Sequence, residues 1–285
     1  NLDQLTSRPD QIKVLRQTIL DLAVRGKLAE HDWADGHAKQ ALQAIVLKRE
    51  EMIRNKELRR EKPLKPVRED EIPFEIPPNW KWVRVGDLAL FTQYGTSAKA
   101  APTESGVPVL TMGNIQDGSV IRTNEKRIAK SSDELPALYL KNLDLLYNRT
   151  NSAELVGKTG LYKGDDDCLT FASYLIRIRL STGDTSPAYV NLTMNSPDFR
   201  TTQIMPHIKK QTGQANVSGS ALKNMLIPLP PVAEQHRIVK AIDTVMGLCD
   251  KLEAATIATD STRAHLLEVI LHDSLAKQEN SRETA

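Results

Sequence analysis

The sequence predicts an α+β protein in which one β-rich domain is flanked by long helices that pack as an antiparallel coiled coil. Three observations carry this expectation. Apolar or small residues from Ile238 to Val269 recur at alternating steps of three and four, and the same spacing links Ile12, Leu15, Ile19, Leu22 and Gly26 near the other end. Between Trp80 and Pro228 that periodicity gives way to short alternating runs parted by Gly, Asn, Asp and Ser. The two end patterns match, so the ends are expected to pair and to carry the middle as an insertion.

Taken in order, Gln11 to Leu28 reads as a first helix, started near Ser7 to Pro9 and stopped by Gly26. After a turn from His31 to His37, Ala38 to Lys62 reads as a second helix with a highly charged later half, K-R-E-E-M-I-R-N-K-E-L-R-R-E-K. That half is either a solvated face with i,i+4 pairs such as Glu50 with Arg54, or a cationic shelf against phosphate. Pro63, Pro66, Pro73, Pro77 and Pro78 make a stiff linker and a domain boundary. Trp80, Trp82, Val83 and Val85 read as the first strand of the next domain, and V-P-V-L-T-M, D-L-L-Y-N and S-Y-L-I-R-I-R-L as further strands. Tyr174 to Leu180 alternates as a half-buried strand does, which places Arg177 and Arg179 on one face. Pro197, behind Asn195 or Ser196 as cap, suits a short helix from Ser196 to Ile208.

Pro228, Pro230 and Pro231 then force an extended lead-in to the last helix. Its seam is Ile238, Ala241, Val245, Leu248, Leu252, Ala255, Thr259, Thr262, Leu266 and Val269, weak where Ala and Thr sit. About forty helical residues reach roughly 60 Å, which exceeds a small domain, so the seam needs a long partner. The expected organisation is a helical region at 1–62, a proline-rich linker at 63–78, a β-rich domain at 79–226 and a long helix region at 227–285.

Composition narrows the class. A chain of 285 residues with 40% hydrophobic and 26% charged residues can bury one sizeable core and still carry exposed helices. The net charge of +2 is too small to announce nucleic acid, so the distribution of charge matters more than its sum. No run of eighteen apolar residues offers a membrane span. Cys168 and Cys249 stand far apart in unlike contexts, which suits a reducing, cytoplasmic setting with both thiols in buried packing. The chain opens on Asn1 without a charged-then-apolar leader and is expected to be trimmed or cut from a longer one.

Several catalytic signatures nearly form. Ser152 to Thr159 approaches a phosphate-binding loop, but Ser152 stands where the first glycine is required. Asn195-Ser196-Pro197-Asp198-Phe199 approaches the loop with which DNA amino-methyltransferases hold an extruded base; its spacing and missing second proline differ, and no glycine-rich cofactor turn precedes it. Asp165, Asp166 and Asp167 read as a solvated turn, since no glutamate completes a cation loop. The six histidines lack metal-ligand spacing, and no Ser/His/Asp arrangement stands out.

Three polar loops remain: Thr92 to Lys99, Tyr147 to Ser152 with Lys158 and Thr159 just beyond, and Lys209 to Ser218. Asn, Gln and Arg match purine edges in the major groove, while Lys, Ser and Thr suit phosphates. Ordinary surface loops share this composition.

Family-level motifs add to that reading. I-P-L-P-P-V-A-E-Q-H-R-I-V-K-A-I-D-T-V-M-G-L-C-D-K-L-E (Ile227 to Glu253) resembles the conserved spacer helix of the specificity subunits of type I restriction-modification systems. L-R-Q-T-I-L-D-L-A-V-R-G-K-L (Leu15 to Leu28) resembles their N-terminal conserved helix, and I-P-P-N-W-K-W-V-R-V-G-D-L (Ile76 to Leu88) the opening of their target recognition domain. The segments Gly106 to Ile115, Leu145 to Gly160 and Phe171 to Arg179 follow in the family's order. The resemblance implies a non-catalytic subunit that binds double-stranded DNA, each recognition domain reading half of a bipartite sequence. It also implies recruitment of modification (methyltransferase) subunits, which bring S-adenosylmethionine, and of a restriction subunit, which brings ATP and Mg; no cofactor is expected on this chain.

The family's usual chain has two recognition domains, whereas one is found here, so the chain is expected to be either a half-length subunit that forms a homodimer or a fragment. On this reading Arg149, Asn151, Gln211, Gln214 and Asn216 are the base-edge candidates, and Thr96, Lys99, Lys158, Lys209 and Lys210 the phosphate candidates. Ile238, Val245, Leu248, Leu252 and Leu266 form the spacer and dimer seam. Two rival readings are a helical scaffold without DNA reading and a stand-alone DNA methyltransferase. The first would show no salt-dependent retention on duplex DNA, and the second would bind S-adenosylmethionine alone.

Overall fold

The computed structural model describes residues 9–211 and 214–283, with side chains at 10–209 and 214–270. The chain divides into two compact units, Asn1–Ile19 with Ile242–Ala285, and Leu20–Ala241. Two helices cross the divisions. Helix α1 (Pro9–Val24) matches the expected first helix, and its end is set by Gly26, whose φ of 70° is open to glycine. The amides of Gly26 and Lys27 close back on the carbonyls of Ala23 and Leu22.

In the first unit the two ends of the chain pair. Ile12 and Ile19 are buried on the N-terminal segment, as are Ile242 and Cys249 on the C-terminal one. Arg16 bridges them, reaching Asp250 at 2.7 Å and Glu253 at 2.8 Å. The buried stripe is not quite the expected seam. On the last helix it runs through the buried Ile238, Ile242 and Cys249 with half-buried Val245 and Leu252, and Leu248 is 59% exposed. Leu266 is also exposed, and on α1 it is Ala23 rather than Leu22 that is buried. The covered stripe keeps the alternating steps of three and four and differs in phase, taking Ile242 and Cys249 in place of Ala241 and Leu248.

In the second unit, helix α2 (Ala38–Arg54) ends eight residues before the expected Lys62, and Lys56 adopts φ 62° just beyond it. Glu50 pairs with Arg60 rather than along the helix. The proline-rich segment that follows is pinned to the body. Arg84, 4% exposed, donates from Nε to the Lys65 carbonyl and from Nη2 to Glu71, and its Nη1 reaches the Asn224 carbonyl. Arg49 of α2 donates to the Gly86 and Asp87 carbonyls, tying that helix to the β-rich part.

The strands are β1 (Lys81–Arg84), β2 (Ala89–Tyr94), β3 (Val107–Leu110), β4 (Ile115–Gln116), β5 (Ser119–Val120), β6 (Arg127–Ile128), β7 (Leu145–Asn148), β8 (Thr150–Asn151), β9 (Thr159–Leu161), β10 (Thr170–Phe171), β11 (Leu175–Leu180), β12 (Lys209–Gln211), β13 (Gln214–Asn216) and β14 (Leu226–Leu229). A six-stranded sheet has the order β2-β11-β7-β9-β5-β4, and β10-β3-β6 forms a second sheet. Leu110, Leu140, Leu146, Phe171 and Leu175 are the fully buried members of its main core. The lead-in Leu226–Leu229 is itself a strand, antiparallel to β1 with Pro228 opposite Trp82. Proline has no amide to donate, so it suits this two-stranded pair, and its carbonyl is taken by the Tyr189 hydroxyl at 2.6 Å.

Strand β11 is more deeply buried than its alternation suggests, because it lies between β2 and β7. Arg177 is 2% exposed, between the Phe91 and Phe171 rings, and Arg179 shares its face as expected. Both turn to the buried Asp144, Arg179 through a two-pronged contact at 2.7 and 2.6 Å and Arg177 at 3.7 Å. Arg177 also donates to the carbonyls of Tyr139 and Ala137. Burial pushes its guanidinium down to about 10, with Asp144 opposing that shift.

Helix α3 (Pro187–Met194) has no counterpart in the sequence expectations; Ser186 caps it by accepting from the Tyr189 amide. The expected short helix is present as a composite, an α-helical turn at Pro197–Phe199 capped by Ser196, a π-helical turn at Arg200–Ile204 and a 3-10 turn at Met205–His207. Helix α4 (Gly219–Asn224), capped by Ser218, and helix α5 (Val232–Glu283) complete the order.

Candidate DNA interface

Two of the three polar loops are one sheet. Strands β12 and β13 form a hairpin with Lys209 opposite Asn216 and Gln211 opposite Gln214, and β13 continues onto β8 with Ala215 opposite Asn151 and Asn216 opposite Thr150. Successive side chains on a strand alternate faces, so Gln214 and Asn216 share one face and Asn151 belongs to the other. Gln214 is exposed, while Asn216 and Asn151 are half-buried. The Asn151 side chain accepts from the Ser152 amide, which fixes it in the turn. The side chains of Lys210 and Gln211, and the whole of Thr212 and Gly213, lie outside the described residues.

The third loop is joined through Arg149. This residue sits between β7 and β8, its amide donating to the Tyr174 carbonyl and its carbonyl accepting from the Val217 amide. Its guanidinium lies over the Tyr94 ring, 5.0 Å from the centroid, and Nη2 donates to Asn216 Oδ1 at 3.1 Å. Tyr94 closes the circle by accepting from the Gly219 amide at 2.7 Å. A cation over an aromatic face beside an amide donor and acceptor is a polar platform that suits a base edge, and none of these contacts involves a carboxylate. Tyr94, which sequence reasoning passed over as a site residue, holds the platform together. An aromatic residue ending a strand beside a Gly-Thr-Ser loop was the available signal.

The phosphate candidates divide. Thr96 is 3% exposed; its hydroxyl donates to Glu134 and accepts from the Ala98 amide at 2.9 Å, so it presents nothing to a ligand. The neighbouring Gly95 explains why: a Cβ there would stand 2.2 Å from the Phe171 carbonyl oxygen, so the loop is pressed onto the sheet. Lys99 and Lys209 are exposed and Lys158 is half-buried. None of the three carries an ion pair among the described residues, unlike Lys141 with Asp167 and Lys223 with Glu61.

The rejected motifs have structural work. In the turn after Ser152 the Val156 amide closes on the Ser152 carbonyl and the Gly157 amide on the Asn148 carbonyl, so these donors are turned inward rather than toward an anion. Asn195 braces Thr159 from both sides, accepting from its amide at 3.2 Å and donating to its carbonyl at 2.8 Å. Asp198 receives both prongs of Arg25 at 2.6 and 2.8 Å. Asp166 accepts from the Asn142 amide and Asp167 pairs with Lys141, both at an exposed turn. No group of three or more potential metal ligands occurs among the described residues, and no helix is long and apolar enough to cross a membrane. Cys249 is buried as expected, but Cys168 is exposed because its turn lies at the rim of the Leu140–Leu169 core.

The β-rich body thus gathers amide, guanidinium and lysine side chains on one set of loops. A family model described as the type I restriction modification DNA specificity domain matches residues 77–259, and the chain belongs to that family. The EcoEI specificity subunit of Escherichia coli is 27% identical over 277 residues, covering 96% of this chain and 47% of its own length. The EcoAI specificity subunit of the same species is 27% identical over 285 residues, covering 96% and 46%. The EcoKI subunit of Escherichia coli K12 is 33% identical over 169 residues, covering 58% and 36%. The chain thus spans about half the length of the curated relatives it matches. A solved chain from work on complex assembly and conformational transition of the type I R-M system superposes with TM-score 0.53 at 16% identity, over 92% of this chain and 56% of that one, and shares the fold.

Proposed function

We propose that this chain is the DNA-reading part of a type I restriction-modification specificity subunit, recognising one half of a bipartite duplex sequence without chemistry of its own. The observation that carries this reading is the convergence of all three polar loops on the Tyr94, Arg149 and Asn216 platform, with Lys99, Lys158 and Lys209, which carry no ion pair among the described residues, on the same loops. Residues 79–226 act as the target recognition domain and 227–285 as the spacer. Arg149, Gln214 and Asn216 are the principal base readers, with Gln211 opposite Gln214, while Asn151, on the other face, braces its turn; Lys99, Lys158, Lys209 and Lys210 hold phosphates. Modification subunits supply S-adenosylmethionine and the base chemistry, and a restriction subunit supplies ATP-driven cleavage with Mg.

The exposed Leu248 and Leu266, which fall on one face of α5, and the adjoining Leu267 supply a surface for a second helical partner, which in a half-length subunit is another copy of the chain. Cells carrying this chain with its modification subunits should methylate adenine in one bipartite motif, palindromic if two copies assemble. A methylome with no motif dependent on this chain would end the proposal.

A further inference from the structure

We infer that Tyr94 is a positioning residue for sequence reading: together with Asn216 it presets the Arg149 guanidinium to present its terminal fork to a guanine edge. This rests on the DNA-reading role proposed above and assigns it a base class and a mechanism. The Arg149 backbone is fixed by its two hydrogen bonds to Tyr174 and Val217. The side chain is held twice more, by the ring face 5.0 Å from Cζ and by Asn216 at 3.1 Å. Asn216 takes only one of the two Nη2 hydrogens, and Nη1 makes no hydrogen bond to a described residue. The remaining Nη2 hydrogen and the Nη1 hydrogens form the pair of donors that matches guanine O6 and N7.

The ring is itself locked. Tyr94 is 46% exposed, yet its hydroxyl accepts from the first amide of α4 at 2.7 Å, and a Cβ on Gly219 would stand 2.6 Å from that hydroxyl. Glycine is therefore what admits the ring. An arginine fixed in this way loses less freedom on binding than a free one, so the platform favours guanine by preorganisation rather than by added contact.

The test uses the full chain with its modification subunits and selection from a randomised duplex pool, followed by affinities for the selected site and its single-base variants. Arg149→Ala should abolish preference at one guanine, by about tenfold or more. Tyr94→Leu should weaken preference at that same guanine about two- to fivefold, as expected for an exposed cation–π contact, and leave the other positions intact. The double variant should be no worse than Arg149→Ala. As a check that needs no Tyr94 variant, 7-deazaguanine at that position should weaken wild-type binding and leave Arg149→Ala binding unchanged.

The inference is overturned if Tyr94→Leu lowers affinity for all sequences alike, if its effect adds to that of Arg149→Ala, or if 7-deazaguanine is read as well as guanine. Should Arg149→Ala keep every preference, Arg149 is not the reader, and the assignment of this platform falls with it. A chain with no preference at all would instead sink the DNA-reading role.

Discussion

At the scale of single residues, the charges inside this molecule are placed for structure as much as for recognition. Arg177, Arg179 and Asp144 make a small ionic core beside aromatic rings in which two arginines share one buried carboxylate, so removing Asp144 leaves the buried Arg177 unmatched. Asp144→Ala should lower the unfolding free energy by about 3–5 kcal/mol, measured from the urea midpoint, because Arg177 keeps its burial and loses its counter-charge. Asp21 shows the opposite situation. Burial and the facing Asp198 raise its carboxyl above the usual range, although it accepts from the Asp198 amide. An acid whose folded value is raised favours the folded state below its unfolded value, and that contribution is lost as pH rises through the folded one. Asp21→Asn, which keeps the acceptor, should therefore raise the melting temperature at pH 7, and the gain should fade below about pH 4, near the unfolded carboxylate value. The arginine pair on Asp144 was half visible in the sequence: alternation put Arg177 and Arg179 on one face, but their carboxylate lies more than thirty residues away and no local pattern points to it.

At the scale of elements, proline, glycine and capping side chains told most of what could be read. Gly26 ends the first helix as expected, with φ 70° and Pro77 lying 2.6 Å from where a Cβ would stand. Gly26→Ala should destabilise the chain by about 1 kcal/mol or more in chemical denaturation. Ser218→Ala removes the cap of α4 and should cost about 1 kcal/mol. Since α4 anchors the Tyr94 hydroxyl, the same variant should also blunt discrimination at the position read by Arg149. The helical seam was legible in period and not in phase: apolar spacing marked Ile238, Val245 and Leu252, yet Cys249 takes the buried place expected of Leu248. Spacing cannot choose between two adjacent stripes on one helix when the partner, not the sequence, decides which is covered. Helix α3 was missed because Pro187 to Met194 is apolar on most sides and carries no amphipathic signature.

At the scale of the whole molecule, charge distribution rather than net charge governs the expected behaviour with DNA. Each lysine that neutralises a phosphate releases counterions, so Lys99→Ala, Lys158→Ala and Lys209→Ala should each shallow the dependence of log K on log salt by about one unit and weaken all sequences alike. Fluorescence anisotropy across a potassium chloride series measures this, and an unchanged slope for all three would remove those lysines from the interface. Self-association belongs to the same scale. Light scattering at micromolar concentration should return twice the 31.8 kDa of one chain; a monomer would leave the exposed leucines of α5 to another partner.

The sequence by itself determined the α+β class, the stop of the first helix at Gly26, the extended proline lead-in to the last helix and the three polar loops, because each of these is a property of neighbouring residues. Only the tertiary structure decided that two of those loops are one sheet, that Thr96 is sealed against Glu134, and that Tyr94 underlies Arg149. Those pairings join residues 38 to 66 positions apart, where strand register and ring packing, rather than local spacing, set which side chains meet.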